Sequence, residues 1–227
     1  INQEAYQTFL AGKHWDIEEG TQLLEQEHAI LQYQNHLIEF ANSTQHLLPA
    51  MVALRWVSPN NIYERVPEFL VDQCNKWKKE NADHPWVIQL CEESDPAKLP
   101  VLVGSVFPNL NFPMLTKDTL PFQELMGKNL TIIDLWASWC GPCRVENREI
   151  LMPLWDEYHG QGLQIVAIGL ESDELSWKAA VEFDGTGDWF QSSHLQGDDE
   201  PLYRQMRVRT IPANFIVDDK GVVIAKN

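Results

Sequence analysis

Positive charge is scarce in this chain of 227 residues, which has 17 Lys and Arg residues against 33 Asp and Glu residues. The formal net charge is −16, and both halves of the sequence are acidic. A surface this negative repels phosphate groups, which argues against nucleic acid or an anionic membrane as the ligand.

Long apolar runs are missing as well. No uninterrupted apolar stretch approaches the roughly 20 residues that a membrane-spanning helix needs, and no basic segment followed by an apolar one opens the chain. Ile1 already lies inside an amphipathic pattern. We therefore expect a mature or trimmed form, with any export signal or anchor outside it. The length suffices for two domains, and no repeat or low-complexity tract is visible.

Cysteine is also sparse, and two of the 4 cysteines, Cys140 and Cys143, are separated by only two residues. The apolar, β-branched run at 130–136 predicts a buried strand before them. Apolar residues three and four positions apart at 150–158 predict a helix after them. Unpaired backbone N–H groups at a helix N-terminus stabilise a thiolate. A CxxC at such a junction is typical of a redox dithiol.

Other interpretations of the motif are weaker. A zinc site needs two further ligands, but Cys74 and Cys91 lie far upstream and no histidine pair has ligand spacing. A purely structural disulfide across so short a loop gains little chain entropy. Cys74 and Cys91 could pair and clamp two helices, or could be two buried free thiols; the sequence leaves both open.

Residues 104–227 resemble the thioredoxin fold, and more closely the TlpA/ResA-like group of periplasmic or membrane-anchored thiol-disulfide oxidoreductases. The active-site strand and turn of the family match residues 134–143, and its next parallel strand matches 162–169. Its cis-proline loop and the strand after it match 210–218, and its closing turn and hairpin strand match 219–224. The lead-in segment that this group adds before the core matches 104–110. The resemblance implies an α/β thioredoxin-like domain, with a central mixed sheet flanked by helices, over residues 98–227. The final helix of the family would follow Asn227 and is not in the sequence.

We expect Cys140 to be the attacking thiol, because it is nearer the end of the helix, and to be partly exposed. Cys143, one turn further, should be more buried; it would resolve the mixed disulfide and would need a base for its proton. Gly141 and Pro142 have a backbone role, since proline suits the first turn of a helix. In the family, the Gly-Pro pair goes with reducing members. The proline of the following helix, Pro153, comes late, so any kink should fall further along.

Two carboxylates are candidates for that base. Asp134 lies in the apolar strand, where burial should raise its pKa, and it matches the buried aspartate of thioredoxins. Glu146 is three residues after Cys143, hence on the same helix face, and aligns with the cavity glutamate of ResA-like proteins. The alternatives are a satisfied polar residue at a strand end and a solvated helix residue. Which of the two handles the proton stays open.

The resemblance also implies a surface for the partner. Pro212 would be cis and would place the backbone of Ile211 against the dithiol, where the family pairs with an extended segment of its partner. Trp139 is expected in the apolar rim that partners touch. Trp136 either flanks the site as well or belongs to the core.

Residues 1–97 are predicted to form an all-α domain. Apolar periodicity predicts helices over 17–42, 47–57, 62–79 and 86–91. The second of these helices would be capped by Ser43 or Thr44, and the third would start or bend at Pro67. Turn signals at 58–61 and 83–85 separate the helices, and residues 94–100 are the expected linker. We predict that its four tryptophans belong to the core rather than to a docking surface (Trp15, Trp56, Trp77 and Trp86).

The leading functional hypothesis is a thiol-disulfide oxidoreductase that reduces disulfide-bearing proteins and needs no metal or organic cofactor. The resemblance implies a location in the periplasm or cell envelope, and a membrane thiol transporter or thioredoxin-like protein as the electron donor. One alternative is a thiol peroxidase, for which Ser138 and Arg144 are weak stand-ins and the P-x3-T-x2-C pattern is absent. Another is a redox-sensing module that binds a partner through the helical half.

Overall fold

The computed structural model describes residues 17–58 and 66–227, with side chains from residue 28 onward. The described chain divides into two compact units, Glu25–Val103 and a larger unit that includes Gly104–Asn227. The predicted turn at 58–61 and the first residues of the helix predicted from Ile62 fall largely outside the described residues, as do Trp15 and the amphipathic pattern at Ile1. None of the described helices is both long and apolar enough to cross a membrane.

The smaller unit is helical, as its periodicity predicts. Its described helices are α1 (Ile17–Ser43), of which residues 25–43 belong to this unit, α2 (Leu47–Val57), α3 (Pro67–Asn81) and α4 (Pro85–Glu93). Proline occupies the first turn of α3 and α4, where its missing N–H breaks no helical hydrogen bond.

The predicted cap of α2 is wrong. The residue that caps α2 is His46, which makes no side-chain cap hydrogen bond. Thr44 Oγ1 instead accepts a hydrogen bond of 3.2 Å from the His46 N–H. The hydroxyl group therefore stabilises the turn before the helix rather than the helix end, a local bond that competes with capping.

A disulfide joins Cys74 of α3 to Cys91 of α4, with the two Cα atoms 5.0 Å apart. Of the two possibilities that the sequence left open, the structure shows the paired one. The bond clamps two helices that border the buried core of this unit, to which Leu54, Phe69 and Trp77 belong.

The prediction for the tryptophans holds only for Trp77, which is buried and donates its Nε1–H to Gln73. Trp56 is 58% exposed and Trp86 50% exposed. The placement of those two in the core is therefore wrong. Helix α2 turns Ala50, Leu54 and their neighbours toward the core, and Trp56 lies on another side of the same helix. Periodicity identifies an amphipathic helix without showing which apolar residues the fold covers.

The larger unit contains a five-stranded sheet in the order β5-β4-β3-β6-β7. Its strands are β3 (Leu130–Trp136), β4 (Leu163–Gly169), β5 (Phe190–Ser192), β6 (Ala213–Asp218) and β7 (Val223–Lys226). Strands β3, β4 and β5 are parallel, whereas β6 runs antiparallel to β3 and β7. Strands β1 (Asn111–Pro113) and β2 (Thr119–Pro121) form a separate hairpin. This is the predicted mixed sheet of a thioredoxin-like fold.

The remaining helices are α5 (Phe122–Leu125), α6 (Gly141–Glu146), α7 (Met152–Tyr158), α8 (Glu174–Asp184) and α9 (Pro201–Met206). A π-helical segment, Asn147–Leu151, connects α6 to α7, so the helical run after the dithiol is continuous. The Met152 N–H bonds to the Asn147 carbonyl five residues back, directly before Pro153. The hydrogen-bond pattern of the run is therefore irregular near Pro153, and the kink expected there stays a prediction.

The strand register brings three chain segments together where β3 and β4 end and β6 begins, which we call the dithiol edge of the sheet. Trp136, at the end of β3, pairs with Gly169 at the end of β4. Leu135 pairs with Ala213, the first residue of the antiparallel β6. The dithiol, the segment after β4 and the proline loop before β6 therefore meet at this edge.

Candidate active site

The dithiol lies at the predicted junction of strand and helix. Cys140 is the N-cap residue of α6, and its Sγ accepts a hydrogen bond of 3.2 Å from the Cys143 N–H. The two cysteines are joined as a disulfide, with Cα atoms 5.3 Å apart. The structure therefore represents the oxidised form of the site.

Cys140 is more buried than predicted, whereas Cys143 is the more buried of the two, as predicted. Cys140 is 6% exposed and Cys143 is 1% exposed, so their order is right but the partial exposure of Cys140 is wrong. The reason is packing: both residues belong to a hydrophobic cluster with Trp136 and Trp177, against which Ile211 also packs.

Two features of the predicted partner surface are present. Trp139 is 63% exposed, next to the buried cysteines, and its Nε1–H donates to the Leu170 carbonyl at 3.3 Å. The Ile211–Pro212 peptide bond is cis, as the resemblance implied. Gly141 and Pro142 form the first turn of α6 and are half-buried. Trp136, in contrast, is fully buried and belongs to the core.

Asp134 lies in β3 and is almost completely buried. Burial raises the pKa of its carboxyl group well above the ordinary value, and the nearby charge of Glu146 raises the pKa further. Its Oδ2 has no hydrogen-bond partner within the described part of the chain. A carboxylate in such a setting is a stronger base than one in water.

Glu146 is buried as well, so its interpretation as a solvated helix residue is wrong. Its Oε1 accepts a hydrogen bond of 2.7 Å from Nδ2 of Asn214. Asn214 is in turn the cross-strand partner of Asp134 in the β3–β6 register, so these two side chains share a face of the sheet. The three residues form one buried polar cluster beside the dithiol helix.

The sequence interpretation missed Asn214 as a site residue. The available signal was an amide side chain within a buried strand, two positions after the proline of the cis loop. A buried amide needs partners, which makes such a residue a candidate for a polar cluster.

A second buried polar group that sequence reasoning missed involves Glu171. Its carboxylate accepts hydrogen bonds from the Ser138 N–H at 2.5 Å and from the Ser138 hydroxyl at 2.8 Å. Arg144 Nη1 donates to the Ser138 carbonyl at 3.1 Å, and the guanidinium of Arg144 is paired with the Asp184 carboxylate. The available signal was an acidic residue following the second parallel strand, at the edge where the dithiol lies.

This geometry bears on the peroxidase alternative. That chemistry would need a hydroxyl group and an arginine directed at a peroxide, but the Ser138 hydroxyl is bound to Glu171. Arg144 is buried and bound to Asp184 and to the Ser138 carbonyl. Both stand-ins therefore already have protein partners.

A mixed sheet with a CxxC disulfide at the start of the helix after β3, and a cis-proline before β6, defines a thioredoxin-like dithiol protein. The chain belongs to the AhpC/TSA family, whose model matches residues 103–226. The helical unit lies almost entirely outside the matched region.

Individual relatives agree with this class. The chain is 32% identical over 134 residues to a thiol:disulfide interchange protein DsbE of Pseudomonas fluorescens, covering 57% of this chain and 68% of that protein. It is 27% identical over 127 residues to a thiol-disulfide oxidoreductase ResA of Oceanobacillus iheyensis, covering 53% of this chain and 62% of that protein. The crystallised thioredoxin domain of a thiol-disulfide oxidoreductase from Bacteroides vulgatus has the same fold, with a TM-score of 0.50 at 23% identity over 56% of this chain and 89% of that domain.

Proposed function

We propose that this protein reduces disulfide bonds in other proteins through Cys140 and Cys143. The observation that carries the proposal is the hydrogen bond from the Cys143 N–H to Cys140 Sγ at the start of the helical run. In the reduced protein, the same N–H group and the partial positive charge of the helix N-terminus would stabilise a Cys140 thiolate.

The reaction balances as two exchanges. The Cys140 thiolate attacks one sulfur of the substrate disulfide, forms a mixed disulfide and releases the first substrate thiolate. Cys143 then loses its proton and attacks Cys140 Sγ, which releases the second substrate thiolate. The substrate gains two electrons, and the protein is left with the Cys140–Cys143 disulfide seen in the structure.

The cluster of Asp134, Asn214 and Glu146 would handle the proton of Cys143. Its two carboxyl groups are buried and interact electrostatically, and burial makes Asp134 a stronger base. Because the charge of Glu146 raises the pKa of Asp134, we assign the proton to the pair rather than to one residue.

The substrate would bind at the edge where the proline loop and the dithiol meet. Exposed Trp139 offers apolar surface, and the backbone of Ile211 before Pro212 would pair with an extended substrate segment. Gly141 and Pro142 would keep the first turn of α6 free of bulky side chains. Residues 98–227 would thus be the catalytic domain, and residues 1–97 a helical domain that precedes it.

We place this chemistry in the periplasm or cell envelope. One relative is named a thiol:disulfide interchange protein and another a thiol-disulfide oxidoreductase, and the second disulfide, Cys74–Cys91, suits an oxidising compartment. A membrane thiol transporter or another thioredoxin-like protein would return the site to the dithiol form.

The test is reduction of insulin disulfides by the reduced protein, compared with Cys140→Ser and with the double variant Cys74→Ser/Cys91→Ser. We expect Cys140→Ser to abolish reduction and the double variant to retain it. Undiminished reduction by Cys140→Ser would exclude the mechanism. Rapid consumption of hydrogen peroxide by the wild-type protein, without insulin reduction, would favour the peroxidase alternative.

A further inference from the structure

The turn that leads into the dithiol is bound by the chain segment that follows strand β4. The Cys140 N–H donates to the Ala137 carbonyl at 3.1 Å, which closes a four-residue turn with Ser138 and Trp139 at its centre. All the polar groups of Ser138 are engaged in hydrogen bonds. Glu171 accepts from its N–H and its hydroxyl group, and Arg144 donates to its carbonyl.

The segment after β4 binds this turn at further points. The Leu170 N–H donates to the Trp136 carbonyl at 2.9 Å, and the Leu170 carbonyl accepts from Trp139 Nε1. Leu170 and Glu171 therefore contact Trp136, Ser138 and Trp139. The backbone that carries Cys140 is therefore supported by this neighbouring segment as well as by its own helix, through Arg144.

The Glu171 carboxylate that binds the turn is buried and has both polar and charged neighbours. Glu171 is 1% exposed, and burial raises the pKa of its carboxyl group, while the Ser138 hydrogen bonds and the charge of Arg144 act to lower it. Asp184 pairs with Arg144 and lies near Arg148. Removing a carboxylate from water is costly unless it keeps good partners, so the charged form of Glu171 favours the conformation of the turn in which Ser138 donates to it.

We propose that Glu171 is a positioning residue for the dithiol. By holding Ser138, it fixes the turn that sets Cys140 against the first N–H groups of α6 and so sustains the thiolate. The proposal rests on the function proposed above, because it assigns Glu171 a part in preparing the attacking sulfur. It adds a residue that lies outside the CxxC, the polar cluster and the proline loop.

The physical link is the geometry of a single hydrogen bond. The Cys143 N–H lies 3.2 Å from Cys140 Sγ, and hydrogen bonds weaken steeply when distance and angle are lost. If the turn relaxes, Cys140 moves relative to the helix end and its thiolate loses stabilisation. The pKa of Cys140 in the reduced protein should then rise.

A substitution at Gly169 can displace the Glu171 side chain without replacing Glu171 itself. A Cβ atom at position 169 would lie 2.9 Å from Cγ of Glu171 and 3.3 Å from Nε1 of Trp177. The variant Gly169→Ala should therefore displace the carboxylate from Ser138. It should affect Cys140 in the same direction as removal of the carboxylate.

The experiment measures alkylation of Cys140 by iodoacetamide in the reduced full chain, as a function of pH, by mass spectrometry of the peptide that contains Cys140. The readout is the pH midpoint, because a change in access alone scales the whole profile without moving its midpoint. The variants are Glu171→Ala, Glu171→Gln and Gly169→Ala. The control is Val223→Ala, which removes buried carbon atoms from the outer strand β7, level with the start of β3 rather than with its dithiol end.

We expect Glu171→Ala and Gly169→Ala to raise the midpoint by up to about one pH unit, a loss of up to about tenfold in thiolate at a pH below the midpoint. Glu171→Gln keeps an oxygen that can accept from the Ser138 N–H, so its shift should be smaller than that of Glu171→Ala. Val223→Ala should leave the midpoint unchanged although it lowers stability.

Two results would overturn the proposal. One is an unchanged midpoint in Glu171→Ala, which would make the residue a stability element like Val223. The other is a lower midpoint in both Glu171→Ala and Glu171→Gln, because that is the effect of removing a negative charge near a thiolate. Alkylation uses no disulfide substrate, so failure of the proposed reductase activity would appear separately, in the insulin assay.

Discussion

Asn214 of β6 donates a hydrogen bond of 2.7 Å to Oε1 of Glu146, and thereby ties the helix that carries the dithiol to the sheet. The same amide lies opposite Asp134 on β3. One neutral side chain thus neighbours both buried carboxyl groups, and its hydrogen bond can stabilise Glu146 in its charged form.

The change Asn214→Ala should slow the second exchange step. Without the amide, Glu146 loses a donor and the proton balance of the pair shifts, so the mixed disulfide with a protein substrate should persist longer. The unfolding free energy should fall by about 1–3 kcal/mol, the cost of leaving a buried polar group without its partner. Quenched-flow trapping of the mixed disulfide measures the first effect, and urea unfolding measures the second.

Asn129→Ala is the matched control for that experiment. Asn129 uses the same amide group to bond the Gln161 carbonyl, but it is exposed and lies before the start of β3. If this control prolonged the mixed disulfide as much as Asn214→Ala does, the polar cluster would have no special role in resolution.

The change Asp134→Asn should stabilise the oxidised protein at neutral pH. A carboxyl group whose pKa is raised by folding binds its proton more tightly in the folded chain than in the unfolded chain, so stability falls as pH rises above the ordinary pKa of aspartate, near 4. Asparagine has no such dependence. The variant should be more stable at pH 7 by about 1–3 kcal/mol, with the difference shrinking as the pH approaches 4.

Denaturant unfolding of the oxidised protein at several pH values measures this difference, and the same variant should resolve mixed disulfides more slowly, because an amide takes up no proton. A stability difference that does not change between pH 4 and pH 7 would show that Asp134 titrates as it does in the unfolded chain.

The change Trp139→Ala should affect protein substrates much more than small ones. Most of this indole is exposed and it makes one hydrogen bond of 3.3 Å, so its loss should change the unfolding free energy by less than about 1 kcal/mol. Loss of apolar contact surface should raise KM for insulin several-fold and leave the rate with a small disulfide such as oxidised glutathione nearly unchanged.

Trp56→Ala is the natural comparison, since Trp56 is about equally exposed but belongs to the helical unit. Equal effects of the two substitutions on insulin reduction would remove Trp139 from the proposed substrate surface.

Removal of the second disulfide by Cys74→Ser/Cys91→Ser should destabilise the helical unit without affecting catalysis. The cysteines are 17 positions apart, and closing a loop of this length contributes about 3 kcal/mol. Calorimetry should show a lower transition temperature for this unit. Loss of insulin reduction along with it would assign Cys74 and Cys91 a redox role that the proposed mechanism does not include.

The parts of the fold that follow from local pattern could be predicted. The strand before Cys140 and the helix after it depend on residues close together in sequence, and their predicted positions agree with the structure. The hairpin of β6 and β7 follows from the family resemblance, which places its second strand at 222–224 against the observed Val223–Lys226. The cis-proline could be placed only because a family resemblance supplied the loop that holds it.

The supporting side chains could not be predicted in the same way. Glu171 is 33 positions from Ser138, and Asn214 is 68 positions from Glu146. Their pairing depends on strand register and on which face of the sheet each side chain occupies. The burial of Cys140 and the exposure of Trp56 likewise depend on what tertiary packing covers, which periodicity does not report.

Because Gly169 lies close to the side chain of Glu171, the residue at one of these positions limits which residues fit at the other. A larger residue at 169 would compete with the carboxylate for the same space. In related sequences, we therefore expect glycine at the first position to accompany glutamate at the second, and the two to be replaced together. Joint replacement of these two residues during evolution would reflect the space that the carboxylate needs next to the turn of the reactive cysteine.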